Sequence, residues 1–271
     1  MRLETTYRPL TIPPVSEKAS AERILAIRPW CDKLMSFQTS RSPAFRFQPG
    51  QFVRLGLPGE SGAGGIIWRP YSMVSAHYDE YLEFFSILVP DGAFSMRLEK
   101  AAVGDTIHVE KAPYGFLTTG RFVGGSDLWL LASGTGVAPF LSILRDPSVW
   151  AQYDNIVLAY SVREARELAY QDEIASLATD ELFADEKARL VFVPIVTRER
   201  VPGLLGRRLT ELIQDGSLER HVGLPLDRER ARILICGNPQ MLEDLREILQ
   251  ARGMRPDRSR EPGNFASENY W

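Results

Sequence analysis

The sequence predicts two domains, an antiparallel β-barrel followed by an α/β domain with a parallel, Rossmann-like sheet. With 271 residues, the chain is long enough for two domains that each bury a core. Apolar and polar residues alternate through the first half, whereas the second half contains short continuous apolar runs followed by stretches with helical spacing. We therefore expect an N-terminal arm over residues 1–20, the barrel over residues 21–122 and the α/β domain over residues 123–271.

The alternation of the first half is clear in two segments. In QFVRLGL, Val53, Leu55 and Leu57 fall on one side of a strand, and in TIHVEKA, Ile107 and Val109 do. Turn clusters such as PGESGAGG and VPDGA separate these runs at short intervals. This pattern is typical of antiparallel strands that close into a barrel.

The second half contains the apolar runs LWLLA, IVLAY, LVFVP and RILIC, each followed by a stretch with helical spacing. In PQMLEDLREILQARG, for example, Met241, Leu245 and Leu249 share one face, and Gly253 is suited to end the helix. Buried strands that alternate with helices predict a parallel sheet covered on both faces.

The composition excludes several classes of protein. A net charge of −3 gives no overall attraction to nucleic acid or to membranes, and no apolar stretch has the length of a membrane span. Two cysteines, Cys31 and Cys236, are too few for an iron–sulfur cluster or a Cys-rich zinc site, and the three histidines are scattered, so we expect no metal site. The N-terminus lacks the apolar core of a secretory signal. We expect a cytoplasmic monomer with two reduced thiols, and the alternative is a disulfide between these two cysteines.

A glycine-rich turn lies between a strand and a helix in LWLLASGTGVAPFLSIL. Gly134, Thr135 and Gly136 follow the apolar run, and Pro139 suits the first turn of the next helix. Glycines let a backbone approach a pyrophosphate, and a helix N-terminus offers it free N–H groups. The turn predicts a dinucleotide site, although a tight turn without a ligand would have the same sequence.

Arginines follow the predicted second and third strands of this domain. Arg163 comes after IVLAY, Arg198 comes after LVFVPIVT, and GLLGRR supplies Arg207 and Arg208. A guanidinium group binds a phosphate dianion through two hydrogen bonds, whereas a site for NAD usually has an acidic residue here. The pattern favours NADP. The alternative is that these arginines only pair with neighbouring glutamates.

Two segments of the first half also suit a phosphate-bearing ligand. WRPYSMVSA combines a cation, an aromatic ring and a hydroxyl in Arg69, Tyr71 and Ser72. In VPDGAFSMRL, Gly92 and Ser95 offer backbone and hydroxyl groups to a second phosphate. Sites suited to phosphate in both domains indicate two nucleotides.

Taken together and in this order, the motifs resemble those of flavoprotein reductases of the ferredoxin–NADP reductase type, in particular the bacterial branch. RPYS resembles the flavin motif of that family, DGAFSMRL its second flavin-phosphate turn and SGTGVAPF its NADP pyrophosphate loop. ICGNPQML resembles the segment beside the nicotinamide, and ENYW the aromatic C-terminus. The resemblance covers nearly the whole chain after the first twenty residues.

For the first domain, the resemblance implies an FAD site. Arg69 would bind a flavin phosphate, Tyr71 would pack on one face of the isoalloxazine ring, and Ser72 would lie near its N5 atom. Gly92 and Ser95 would hold the FAD pyrophosphate.

For the second domain, the resemblance implies an NADP(H) site with a pyrophosphate turn, a 2′-phosphate clamp and a nicotinamide position. Its residues would be Gly134, Thr135, Gly136, Arg163, Arg198, Arg207, Cys236 and Gly237. Whether Arg207 or Arg208 is the third arginine of the clamp stays open.

The C-terminal tail would fold back over the flavin. Tyr270 would cover the isoalloxazine ring opposite Tyr71, Trp271 would stack on the FAD adenine, and Glu268 would help to orient the nicotinamide. The catalytic residues implied in this way are Ser72, Cys236, Glu268 and Tyr270.

The implied function is that of an FAD-dependent oxidoreductase. NADPH would pass a hydride to flavin N5, and electrons would leave one at a time to an acidic carrier, ferredoxin or flavodoxin. A basic surface would bind the carrier, with candidates Lys33, Arg41, Arg46, Arg54 and Arg97. Two alternatives stay open, a reductase serving an oxygenase or free flavin or quinone, and a non-catalytic electron-transfer subunit.

Overall fold

A computed structural model describes residues 17–59, 65–183, 186–258 and 261–269, so most of the predicted arm lies outside the described residues. Among these residues, the first domain contains six strands and one short α-helix. They are β1 (Ala19–Cys31), β2 (Leu34–Ser40), β3 (Phe52–Pro58), β4 (Ile66–Ser72), β5 (Tyr81–Ile87), α1 (Ser95–Leu98) and β6 (Thr106–Glu110).

The six strands form one antiparallel barrel. Their order is β4-β3-β6-β1-β2-β5, and every pair in the sheet is antiparallel. The two edge strands meet through a bridge between Met73 and Phe84 and a 2.8 Å hydrogen bond from the Val74 amide to the Glu83 carbonyl. Closing the sheet in this way removes its open edges.

The alternating residues of the sequence form the barrel core. Val53, Leu55 and Leu57 are buried while Arg54 between them is exposed, and Ile107 and Val109 are buried on the same side. The prediction of a barrel from the period of two is therefore confirmed.

The second domain is a parallel sheet with helices. Its elements are β7 (Asp127–Ser133), α2 (Ala138–Leu144), α3 (Pro147–Gln152), β8 (Asn155–Val162), α4 (Gln171–Leu177), β9 (Arg189–Val196), α5 (Leu209–Gln214), α6 (Ser217–Val222), β10 (Ala231–Cys236), α7 (Pro239–Ala251) and β11 (Phe265–Glu268). The strand order is β11-β10-β7-β8-β9, and all neighbours are parallel.

Strand β7 shows why this sheet is covered on both faces. Leu128 and Leu130 belong to a core that contains Phe140 of α2, whereas Trp129 and Leu131 belong to a core that contains Leu245 of α7. Because successive side chains of a strand point to opposite faces, a continuous apolar run needs a helical layer on each side. The predicted α/β class is confirmed.

Strand β11 is an element that the sequence does not predict. Phe265–Glu268 add a fifth parallel strand beside β10, which pairs Cys236 with Glu268. Four residues are too few to show a period, so the segment resembles only a tail. This pairing brings Glu268 to the same edge of the sheet as Cys236.

A buried carboxylate joins the two domains. Glu83 of β5 accepts a 2.9 Å hydrogen bond from the hydroxyl of Tyr170 and forms a 3.2 Å ion pair with Arg145, both from the α/β domain. Nearby, the hydroxyl of Ser142 donates to the carbonyl of Ser75 at 2.7 Å. A buried charge needs such partners, so these contacts fix where the barrel meets the sheet.

No helix in the part of the chain that the structure describes has the length and apolar character to cross a membrane. The proposed domain bounds stay a prediction; β1 begins at Ala19, within the stretch assigned to the arm.

Candidate functional site

A cleft of about 410 Å³ lies between the barrel and the carboxyl edge of the parallel sheet. Ligands of open α/β sheets bind at this edge. The barrel lines the cleft with residues 69–72, 85–87, 89 and 92–95, and the α/β domain lines it with Thr135, Gly136, Ala138, Cys236 and Gly237. Nine of the predicted site residues are thus brought together, since Arg69, Tyr71, Ser72, Gly92 and Ser95 are among the barrel residues.

The turns after β7 and β10 pack against each other through glycines. A Cβ atom on Gly136 would lie 2.4 Å from the carbonyl oxygen of Cys236, and one on Gly237 would lie 2.2 Å from the Oγ of Ser133. Gly237 also has φ +139, which other residues rarely adopt. Any side chain at either position would therefore force the two turns apart.

The turn between β7 and α2 leaves backbone open to a ligand. Gly134 has φ +54, and no atom lies within 4 Å of the position that its Cβ would take. Residues Gly134–Val137 form a single 3₁₀ turn, and Pro139 stands in the first turn of α2, where no N–H is needed. The arrangement fits a pyrophosphate approaching the helix start.

Cys236 ends β10 at the floor of the cleft, 1% exposed. Burial raises the pKa of its thiol well above the usual value, and the carboxylate of Glu268 raises it further. Both effects disfavour a thiolate. The thiol therefore stays neutral at physiological pH.

This raised pKa predicts a pH-dependent loss of stability. Above about pH 9 the thiol ionises in the unfolded chain but keeps its proton in the folded chain, so the folded state binds more protons and the free energy of unfolding falls with pH. The expected loss is about 1.4 kcal/mol per pH unit for one fully coupled group. Denaturant unfolding between about pH 8 and 10 measures it.

The Cys236→Ala variant is the control for this measurement. It should flatten the decline over this pH range, because it removes the buried thiol. An equal decline in wild type and Cys236→Ala would mean that the thiol ionises alike in both states.

Glu268 is held by the loop that follows β6. Its Oε1 accepts a hydrogen bond from the backbone N–H of Phe116, and a Cβ on Gly115 would lie 2.9 Å from its Oε2. Gly115 has φ +97, a conformation that residues with a side chain rarely adopt, so the backbone favours glycine there. Gly115 is a site residue that sequence reasoning missed, and its only signal was a glycine before an aromatic residue.

Glu268 lines a second cavity, of about 870 Å³, that adjoins the first one. The two cavities share Arg69 and Pro70, and the second is otherwise lined by Gln51, Phe52, Arg54, Pro113, Tyr114, Gly115, Phe116 and Asn269. Arg69 is exposed, and its Nη1 donates to the carbonyl of Trp68 at 2.8 Å. The guanidinium is therefore available where the two cavities meet.

Tyr71 lines the barrel side of the cleft, and contacts at its hydroxyl and its ring hold it in place. Its hydroxyl and that of Ser86 share a 2.8 Å hydrogen bond, and its ring packs on Phe94 with centroids 5.4 Å apart. Burial raises the pKa of Tyr71 to about 12, so the hydroxyl stays protonated. Ser72, the next residue, is 8% exposed and lines the same cleft.

The turn at 89–95 presents its backbone to the cleft. The amide of Gly92 donates to the Val89 carbonyl at 3.1 Å, and Ser95 Oγ accepts from the Val89 amide at 3.1 Å. Asp91 adopts φ +59, which is uncommon for a residue with a side chain. Gly92 and Ser95 thus belong to one tight turn at the mouth of the cleft.

Arg163 and Arg198 lie side by side after β8 and β9. The amide of Arg198 donates to the carbonyl of Arg163 at 2.9 Å, and both residues are exposed. Arg207 lies before α5 and pairs with Glu211 and Asp215 at 3.4 and 2.7 Å. Two of the three predicted clamp arginines, Arg163 and Arg198, are therefore neighbours, whereas Arg207 forms ion pairs with nearby carboxylates.

Two predicted residues cannot be placed. Tyr270 and Trp271 lie outside the described residues, so the predicted lid over the flavin stays a prediction. The roles assigned to the other site residues are likewise proposals.

Models of two domain families match the chain. The oxidoreductase FAD-binding domain matches residues 32–118, and the oxidoreductase NAD-binding domain matches residues 130–247. The first match covers the barrel strands β2–β6, and the second covers the sheet from within β7 to α7. Each predicted nucleotide site thus falls mainly within the matching domain.

Curated relatives match over nearly the whole length. The ferredoxin–NADP reductase of Pseudomonas aeruginosa is 41% identical over 251 residues, 91% of this chain and 95% of its own. The flavodoxin/ferredoxin–NADP reductase of Rhodobacter capsulatus is 32% identical over 95% of both chains. A crystal structure of a ferredoxin NADP⁺ reductase from Neisseria gonorrhoeae with bound FAD and NADP superposes with a TM-score of 0.87 at 39% identity, over 94% of this chain and 100% of that one. The chain belongs to the ferredoxin–NADP reductase family.

Proposed function

We propose that this protein is an FAD-dependent enzyme that transfers electrons between NADPH and a one-electron carrier, ferredoxin or flavodoxin. The observation that carries the proposal is the single cleft in which both phosphate-suited turns meet. The 92–95 turn of the barrel and the Gly134–Gly136 turn of the α/β domain both open on the cleft that Tyr71, Ser72 and Cys236 line. Two nucleotides bound at these turns would bring their reactive ends together there.

The barrel residues would hold FAD. Arg69 and the turn with Gly92 and Ser95 would bind its phosphates, while the rigid ring of Tyr71 would support the isoalloxazine and Ser72 would offer a hydroxyl beside it. When bound, FAD supplies the exchange between a two-electron hydride donor and one-electron carriers. The residues of this chain need only position and tune it.

The α/β residues would hold NADP(H). Gly136 and Gly237 keep the pyrophosphate turn tight against the floor of the cleft, and the neutral Cys236 adds no charge where a nicotinamide would lie. Glu268, fixed by the Phe116 amide, would orient the amide group of the nicotinamide. Arg163 and Arg198 would supply the positive charge for the 2′-phosphate.

The carrier would dock by charge, but several predicted docking cations have partners of their own. Lys33 pairs with Glu167, Arg54 pairs with Glu110, and Arg41 donates to three backbone carbonyls. Exposed pairs cost little to break, so Arg54, about half exposed, still suits an acidic partner.

Both cysteines are free, which fits the proposed cytoplasmic location. We further propose that the enzyme is a monomer.

The visible absorption spectrum tests the proposal. The purified protein should show flavin bands that bleach anaerobically with one equivalent of NADPH and respond far more slowly to NADH, because NADH lacks the 2′-phosphate that the arginines would bind. Reoxidation by added ferredoxin or flavodoxin, weakening as salt is raised, tests the partner.

Three outcomes would count against the proposal. A protein that stays colourless when FAD is supplied would rule out FAD as its cofactor. Equal rates with NADPH and NADH would rule out a clamp for the 2′-phosphate. Rapid flavin reduction without electron transfer to either carrier would direct attention to an oxygenase, quinone or free flavin as acceptor.

A further inference from the structure

We propose that Lys33 and Glu167 are positioning residues that hold the Arg163–Arg198 pair in place for the 2′-phosphate of NADPH and connect it to the flavin-phosphate turn. Lys33 belongs to the barrel and Glu167 to the α/β domain. The inference rests on the proposed function, because it concerns how the coenzyme of that reaction is selected.

Glu167 holds the backbone of the arginine pair. It is 6% exposed, and its Oε2 accepts a 3.1 Å hydrogen bond from the amide of Arg163. The carbonyl of Arg163 in turn accepts from the amide of Arg198. The carboxylate therefore fixes the first member of the pair directly, and the second through the peptide of the first.

Lys33 contacts one neighbour of each phosphate-binding region. It lies in the turn between β1 and β2, and its ammonium forms an ion pair with the carboxylate of Glu167. Its carbonyl accepts a 2.8 Å hydrogen bond from the amide of Leu88, and the next residue, Val89, donates to Ser95 Oγ at the flavin-phosphate turn. One residue thus connects the two turns across the domain boundary.

The charges explain why the pair is needed. A buried carboxylate beside a site for a phosphate dianion would repel that dianion, and it would be costly to leave unpaired. Lys33 neutralises Glu167, so the carboxylate can accept from Arg163 without weakening the positive potential of the arginines. Removing Lys33 alone would leave a negative charge beside them, whereas removing both charges would not.

The neighbouring ion pair offers a matched control. Asp32, the other residue of the same turn, pairs with Arg166 at 3.0 Å, but both side chains are more than half exposed. This Asp32–Arg166 pair crosses the same domain boundary, but its carboxylate is exposed whereas that of Glu167 is buried. A purely structural role for cross-domain pairs would make the two turn residues equivalent.

The experiment compares steady-state kinetics with NADPH and NADH in four proteins: wild type, Lys33→Met, the double variant Lys33→Met/Glu167→Gln, and Asp32→Asn. Flavin content and thermal unfolding are measured on each. With ferricyanide as the electron acceptor, so that carrier docking plays no part, we expect Lys33→Met to raise KM for NADPH about tenfold. Its kcat with NADPH and its KM for NADH should stay unchanged, as expected when one uncompensated charge lies beside the 2′-phosphate site. The double variant should recover most of this loss, because the glutamine amide oxygen can still accept from the amide of Arg163. Asp32→Asn should match wild type.

The outcomes separate the inference from the function on which it rests. A wild type without preference for NADPH would overturn the proposed function itself. A selective wild type whose Lys33→Met variant keeps its KM for NADPH, or loses activity equally with both coenzymes, would overturn only the positioning role. If Lys33→Met does not retain flavin, the double variant decides: near-normal KM for NADPH supports the inference, and a tenfold increase overturns it.

Discussion

The Gly136→Ala substitution is expected to slow flavin reduction by NADPH about 100-fold, since displacing a binding turn by about 1 Å has effects of that size. The added methyl carbon would lie 2.4, 2.5 and 2.7 Å from the Cys236 carbonyl oxygen, the Cys236 carbonyl carbon and the Gly237 Cα. All three are backbone atoms at the end of a central strand, so no side chain can rotate away. The turn must move, and with it the N–H groups offered to the pyrophosphate.

The FAD site should be unaffected, because it lies on the barrel. Gly136→Ala should therefore retain its flavin bands and be reduced normally by dithionite, while stopped-flow reduction by NADPH is slow. Gly120→Ala is the matched control, since no atom lies within 4 Å of its added Cβ. Normal NADPH reduction in Gly136→Ala would show that this turn does not contact the coenzyme.

The two-domain fold could be predicted because each half has its own pattern of apolar residues. Val53, Leu55 and Leu57 alternate into one core, whereas Leu128–Leu131 form an unbroken apolar run that supplies both faces of a sheet. β11 could not be predicted in this way, since its four residues pair only because β10 provides an open edge. Its effect on the site is large, because it places Glu268 beside Cys236.

The turns of the site could be predicted from local sequence, but the contacts between domains could not. Gly134 and Gly136 could be predicted because they lie between a strand and a helix, and Tyr71 because it lies in the RPYS motif. Glu83 is a lone carboxylate among the apolar residues of β5 and in the sequence resembles a solvent-facing position, although residues 82–86 are all buried. It is buried because another domain, with Arg145 and Tyr170, packs over it.

The role proposed for Lys33 could not be predicted from local sequence either. In the sequence, Lys33 is an ordinary charged residue in a strand-to-strand turn, which favours a solvent-facing or docking role. Its partner, Glu167, belongs to the other domain and becomes its neighbour only after the two domains pack. A role that depends on a contact across the domain boundary leaves no local pattern in the sequence.

The second large effect is expected at the arginine pair. Arg163→Ala or Arg198→Ala should each lower the ratio of kcat/KM for NADPH to that for NADH roughly 30- to 140-fold, because a charge-assisted hydrogen bond to phosphate is worth about 2–3 kcal/mol. Activity with NADH should change little in either variant. The loss should therefore appear in KM for NADPH, and it should shrink at high salt, where wild-type discrimination is screened as well.

Arg207 and Arg208 decide how the clamp is completed. Arg207 pairs with Glu211 and Asp215, and the hydrogen bonds from Ser217 and Arg207 lower the pKa of Asp215, so this carboxylate stays charged and keeps its partner. Arg208 is exposed and has no ion pair in the part of the chain that the structure describes.

We expect Arg208→Ala to reduce the preference for NADPH more than Arg207→Ala does, because Arg208 is not engaged by carboxylates of the described residues. The reverse order would mean that the 2′-phosphate draws Arg207 away from two exposed carboxylates, which is feasible because exposed ion pairs are weak. Equal and unchanged ratios in both variants would leave Arg163 and Arg198 as the whole clamp.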